Sequence, residues 1–142
     1  MKYTNQISTS IPKQDLKEIL DAIEFINRKV PGLVTLSAEE KASLPKMKSN
    51  TIDFVNECLA IAKNNPEIVP ENVDIPEIIK DVELVKAANE ILNPLKALTK
   101  KLKDSVLLAE SEAYLPSIAI YNSAQLNEVK NKARQKKPIK TS

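Results

Sequence analysis

A single glycine in 142 residues is the feature that most constrains the fold of this chain. Tight turns between neighbouring strands need backbone with positive φ angles, and glycine adopts those angles at the least cost. The sequence also has no convincing run of alternating apolar and polar residues, the pattern of a half-buried strand. We therefore predict an all-α protein.

Apolar residues recur at three- and four-residue spacings along four segments, which is the pattern of amphipathic helices. These helices are predicted at residues 12–30, 50–64, 75–102 and 104–135. The predicted fold is an up-and-down antiparallel four-helix bundle, in which two long kinked helices pack against two shorter ones.

The connector at residues 31–49 is predicted to contain a short helix at 37–43. Ser37 followed three residues later by Glu40 forms a capping-box pattern. The connector is unusually apolar, with Leu33 and Val34 among its residues. We expect it to cover the part of the long helices that the short ones leave bare.

The two long helices are predicted to meet at a turn over residues 101–104, where Asp104 or Ser105 caps the fourth helix. Pro94 and Pro116 interrupt the two apolar stripes, and an interior proline usually kinks a helix. At ~1.5 Å per residue, each proline lies roughly 13–18 Å from the turn. We expect the two kinks to lie at similar heights on antiparallel neighbours.

Composition predicts one soluble domain, because 42% of the residues are hydrophobic and 28% are charged. The expected organisation is a flexible arm at residues 1–10, a bundle domain at 11–135 and a basic disordered tail at 136–142. The first ten residues show no signal-peptide core, and no run is apolar enough to cross a membrane. The single cysteine, Cys58, is expected to fill the core and fits a cytoplasmic protein.

The absence of histidine excludes several classes of catalytic site. Serine–histidine and cysteine–histidine nucleophile pairs cannot form, and neither can histidine zinc sites. One glycine is too few for a phosphate-binding loop or a dinucleotide fingerprint. We expect no catalytic residues and no cofactor. The prediction is a non-catalytic protein-interaction or structural module, whose unknown partner is another protein or a second copy of the chain.

A first alternative is binding to nucleic acid or to another acidic surface through the C-terminal tail. Basic residues concentrate there, and phosphate contacts by lysine and arginine give salt-dependent affinity. No aromatic residue is interleaved for base stacking. The candidate anion-binding residues are Lys130, Lys132, Arg134, Lys136 and Lys137.

A second alternative is a divalent-metal site near the two kinks. Glu90, Glu110 and Glu112 would come together there if the prolines are level, with Tyr114 and Tyr121 nearby. Clusters of carboxylates bind hard cations such as magnesium or calcium. The competing interpretation is that the glutamates face water and the tyrosines belong to the core.

Three segments of the chain carry a resemblance to a known family. They are LVTLSAEEKASLPKM at residues 33–47, FVNECLAIAKNNPEIVP at 54–70 and SEAYLPSIAIYNS at 111–123. The chain resembles a small bacterial family of all-helical proteins of unknown function. The resemblance implies a helical bundle and transfers no activity or site. Family members carry an unbroken final helix, whereas this chain has Pro116.

Overall fold

A computed structural model of the chain describes residues 5–131, with side chains described as far as Glu128. The elements are α1 (Lys13–Lys29), α2 (Ala38–Ser43), α3 (Thr51–Asn64), a 3₁₀ helix (Pro66–Ile68) and α4 (Ile75–Asn131). Residues 5–131 contain no strand. The prediction of an all-α protein is confirmed for this part of the chain.

Helix α4 takes the place of the two long antiparallel helices that the sequence predicted. Asp104 accepts a hydrogen bond from Lys100 Nζ at 2.7 Å, and the Ser105 hydroxyl donates to the Lys101 carbonyl at 2.7 Å. The segment has neither glycine nor proline, so nothing in it stops a helix. The predicted turn at 101–104 is therefore wrong, and the four-helix bundle arrangement is not confirmed.

Both interior prolines lie within α4. Pro94 and Pro116 lack the amide that would donate to the carbonyl four residues earlier, at Glu90 and Glu112 respectively. The helix nevertheless continues across both. The expectation that the prolines sit side by side on antiparallel neighbours is wrong, because they belong to one helix.

The predicted capping box at the start of α2 is confirmed. The Glu40 amide donates to Ser37 Oγ at 3.1 Å, and the Ser37 amide donates to Glu40 Oε1 at 3.4 Å. At the start of α4, the Glu77 amide donates to Asp74 Oδ1 at 3.3 Å. Side-chain oxygens thus satisfy amides that have no partner within the helix.

Helices α1 and α3 begin without a side-chain cap. Pro12 occupies the N-cap position of α1. Asn50 occupies that of α3 with φ +60°, a left-handed conformation from which its side chain makes no capping bond. After α1, Gly32 adopts φ +72°, which explains why the chain's one glycine stands at this turn.

The chain divides into two compact units. The groove unit comprises residues 11–94, and the arm unit joins residues 1–10 to residues 95–142. Within the groove unit, α3 and the 3₁₀ helix are the only elements whose backbones lie close together. The prediction of a single bundle domain at 11–135 stays a prediction.

No hydrophobic residue among those described is buried. On α1, Leu16 and Leu20 are 44% and 55% exposed. In the connector, Leu33 and Val34 are 58% and 78% exposed, so the expectation that the connector packs over the helices is wrong. Many apolar residues that the sequence assigned to a shared interior are therefore exposed on their helices.

Candidate functional site

An apolar groove lies between α3 and the start of α4 in the groove unit. Its volume is about 390 Å³. The 3₁₀ helix and the link after it close one side, because Pro66 starts a tight turn directly after α3 ends. The lining residues are Phe54, Val55, Cys58, Leu59, Ile61, Ala62, Ile68, Val69, Pro70, Val73, Ile75 and Ile78.

Four half-buried residues are shared by this groove and a second depression of about 540 Å³. Leu59, Ala62, Val69 and Ile75 line both. They bring α3, the link and α4 together, and we call them the corner.

The rest of the groove remains open to solvent. Phe54, Ile61 and Ile68 line it and are 51%, 48% and 58% exposed. Cys58 is also exposed and carries a free thiol, so the expectation that it fills a core is wrong. The reason is that no element covers this face of α3. A concave, apolar and open surface is suited to an apolar side chain from another molecule.

The segment that builds the groove is acidic. Residues 51–78 hold six carboxylates and one lysine, a net charge of −5. Farther along the same chain, residues 95–103 hold four lysines and no carboxylate, a net charge of +4. The groove therefore favours an apolar partner with basic side chains over an acidic one.

In the arm unit, Glu112 binds the N-terminal segment. Its Oε1 accepts hydrogen bonds from the Gln6 amide at 2.6 Å and from the Ile7 amide at 3.2 Å. Its Oε2 lies 3.3 Å from the Ile7 amide. When the Asn5 side-chain amide is oriented to satisfy both of its polar atoms, its nitrogen donates to Glu112 Oε2 at 3.0 Å. We call this contact the arm clamp.

The glutamates of the predicted metal site are not brought together. Glu90 and Glu110 lie on one helix that does not reverse direction between them, and Glu112 is engaged in the arm clamp. Within the described residues, no three carboxylate or thiol side chains form a group that could hold a metal ion. Tyr114 and Tyr121 are 64% and 46% exposed, so neither is a core residue.

The predicted anion-binding residues fall at the end of the described chain. Lys130 lies in α4, but its side chain is outside the described residues, as are Lys132, Arg134, Lys136 and Lys137. Binding of nucleic acid or of another acidic surface through this tail stays a prediction.

Two features of these sites were not predicted from the sequence. The groove was not predicted, and the available signal for it was the apolar character of Ile68, Val69 and Val73. The 3₁₀ helix was not predicted either. The arm clamp has no signal in a single sequence, because Gln6 and Glu112 are 106 residues apart.

Two further findings bear on what the chain is. No helix in the described part of the chain combines the length and the apolar character needed to cross a bilayer. Comparisons with protein-family models, with curated proteins and with solved structures find no match.

Proposed function

We propose that this protein is a non-catalytic interaction module that binds another polypeptide through the apolar groove and the exposed faces of its helices. The observation that carries this proposal is the absence of any buried hydrophobic residue in the described part of a chain whose helices are amphipathic. Large exposed apolar surfaces in water are unfavourable and typically mark interaction sites.

The proposal includes a four-helix bundle that is completed between molecules. One chain supplies the long helix α4 and the shorter helices α1 and α3. Their apolar residues have the spacing that bundle packing requires, and many of them are exposed. Helices from a binding partner would supply the missing layer.

We further propose that the protein acts in a bacterial cytoplasm. The exposed thiol of Cys58 supports a reducing compartment, since an accessible free cysteine is oxidised in a secreted protein. Membership of a bacterial all-helical family remains part of this proposal and rests on the three sequence segments alone.

The test is capture of partners from the native host on wild-type protein and on a groove variant. The double variant Ile61→Asp/Ile68→Asp places two charges in the groove at positions that are already about half exposed, so the helices should persist. Val34→Asp is the matched control, because Val34 is exposed and lies outside the groove. Circular dichroism checks that all three proteins are equally helical.

We expect quantitative mass spectrometry to find a polypeptide retained by the wild type and by Val34→Asp. Its recovery on the groove variant should fall by at least about tenfold, since a buried charge opposes apolar docking. Equal recovery on all three baits would contradict the proposal, as would turnover of a substrate by the purified protein.

A further inference from the structure

We propose that the groove binds an amphipathic helix of another polypeptide, and that this helix carries lysine or arginine beside its apolar stripe. The inference rests on the proposed function and names the chemistry of the partner at that site. Three properties of the groove unit support it: the apolar lining of the groove, the acidic charge of the segment that builds it, and the absence of a strand among its elements.

The lining of the groove is apolar throughout and has no charged side chain. Three of its large side chains, Phe54, Ile61 and Ile68, remain about half exposed to water. Covering them is favourable, because it removes apolar surface from water. The volume of about 390 Å³ is near the lower end of the range of binding sites, roughly 300–1,000 Å³. The groove therefore suits apolar side chains that project from a partner.

The acidic charge of the groove unit is concentrated in the segment that builds the groove. Residues 51–78 hold six carboxylates and one lysine, a net charge of −5. Residues 11–50 hold seven basic and six acidic residues, a net charge of +1, and residues 79–94 hold two basic and three acidic residues, a net charge of −1. Charge thus distinguishes the groove from the exposed apolar face of α1, whose helix is neutral.

Most of the carboxylates of this segment are available to a partner. Asp74 caps α4, and Glu77 pairs with Lys80 at 3.0 Å. The other four are exposed and form no ion pair with any described residue: Asp53, Glu57, Glu67 and Glu71.

Three of these four carboxylates lie next to lining residues. On α3, Glu57 is one helical turn from Ile61, and residues four apart are neighbours on a helix surface. Glu67 and Glu71 directly flank the lining residues 68–70. A cation beside the apolar stripe of a docked helix would face these carboxylates, whereas an acidic side chain there would be repelled.

The backbone of the partner must satisfy its own hydrogen bonds. Residues 5–131 contain no strand, so the groove unit offers no strand edge to which an extended peptide could add. An extended backbone laid on an apolar lining would leave amides and carbonyls without partners, which is unfavourable. A helix satisfies these groups internally and presents apolar side chains at three- and four-residue spacings.

The first experiment measures binding of labelled peptides to the full chain by fluorescence anisotropy. The probe is a helical peptide of about five turns, built from leucine and lysine with leucine along one face. Two matched peptides keep every leucine and replace each lysine by glutamine or by glutamate. The lysine peptide should bind at least about tenfold more tightly than the glutamine peptide at low salt, and the glutamate peptide should bind most weakly. The difference should shrink as salt rises.

Two charge variants separate the charge beside the groove from the charge of the whole molecule. Glu67→Lys/Glu71→Lys should bring the affinities of the lysine and glutamine peptides to within about threefold of each other, because it reverses the charge next to the groove. Glu18→Lys/Glu24→Lys changes the net charge equally at exposed positions of α1 and should keep the preference. Equal loss in both variants would mean that net charge alone selects the peptide, and the inference would be wrong.

The second experiment locates the bound peptide through Cys58. This residue is the only cysteine of the chain, and its exposed free thiol lines the groove. Saturating lysine peptide should slow alkylation of the thiol by iodoacetamide at least about fivefold, because a covered thiol is less accessible. The variant Ile61→Gln/Ile68→Gln makes the groove polar. It should bind the peptide at least about tenfold more weakly and lose the protection.

Three results would overturn the inference. Equal binding of the lysine and glutamine peptides removes the charge argument, and unchanged alkylation of Cys58 places the peptide outside the groove. Sedimentation of the chain alone as a dimer, reverted to a monomer by Ile61→Gln/Ile68→Gln, would make a second copy the occupant.

The proposed function is tested separately by capture from the host. If the groove captures a polypeptide that has no basic amphipathic helix, only this inference is wrong. If no peptide binds and the host yields no polypeptide, both proposals are wrong.

Discussion

Helix α1 and the corner differ in how deeply their apolar side chains are buried. On α1, Leu16 and Leu20 are about half exposed, at 44% and 55%. At the corner, Leu59, Val69 and Ile75 are half-buried and line the same two depressions. The link between α3 and α4 is short and contains the 3₁₀ helix, whereas a long connector follows α1.

The difference teaches that, in the groove unit, apolar character alone does not decide which helices pack. Closing a short link costs less conformational entropy than closing a long one. The corner therefore forms within one chain, while α1 offers an apolar face without a neighbour. Substitutions in α1 and at the corner test whether their packing differs and which contacts maintain the difference.

The largest effect is expected from removing a corner side chain. Leu59→Ala should lower the free energy of unfolding by about 2 kcal/mol, because it deletes apolar contacts between α3 and the link. Leu20→Ala on α1 should stay within about 0.5 kcal/mol of the wild type, since Leu20 is 55% exposed and alanine favours helix. Urea unfolding followed by circular dichroism at low protein concentration measures both. Equal losses would mean that α1 packs as tightly as the corner does.

A smaller effect is expected at the start of α4, which supports the corner. Asp74→Ala removes the acceptor for the Glu77 amide and should cost about 1 kcal/mol. Glu71→Ala, in the exposed link before the cap, is the control and should change little. The same unfolding assay applies. If the two variants prove equally stable, the cap does not hold this end of the helix.

The arm clamp joins residues that are distant in sequence. The length of the link between neighbouring helices therefore does not explain it. Glu112→Gln removes the negative charge that accepts the Gln6 and Ile7 amides. Exchange of those amides should accelerate roughly threefold to tenfold, since a charge-assisted bond becomes a neutral one at an exposed site. Glu110→Gln should leave the exchange unchanged. Identical rates in both variants would show that the clamp does not protect the arm.

The smallest effect concerns the basic tail. The hypothesis of acidic-surface binding predicts a weak electrophoretic shift of nucleic acid at low salt, which disappears as salt rises. Deleting residues 128–142 should abolish it, because that segment holds six basic residues and one glutamate. Absence of a shift with the full chain would end this hypothesis.

The sequence predicted local features of the fold well, because local chemistry determines them. The positions of α1, α2 and α3 and the Ser37 capping box all depend on residues within one or two turns of each other. The periodicity of the apolar residues was enough to locate those helices.

The sequence did not predict which helices are separate. Asp104 and Ser105 are common N-cap residues, and this favoured a turn before them. In the structure they bond to Lys100 and Lys101 in the preceding turn, inside a continuous helix. Cap-type residues can serve either role, and the absence of glycine or proline between 100 and 105 was the better guide.

The candidate site was only partly accessible to sequence reasoning. Cys58 was expected to fill a core, because amphipathic helices usually pack together around a shared interior. Periodicity identifies the apolar face of a helix. It does not show whether the surface that covers this face belongs to the same molecule. The arm clamp required a contact between residues 106 positions apart, which no local pattern encodes.

Hydrogen exchange over α3 and the link after it, measured on the chain alone and with the polypeptide that it captures, is the most direct test. If the groove is covered by assembly, amide protection at residues 51–70 should rise when the captured polypeptide is added, because binding suppresses local opening. Residues 31–49 of the connector should show no such rise. Unchanged protection at residues 51–70 would contradict the claim that another polypeptide covers the groove.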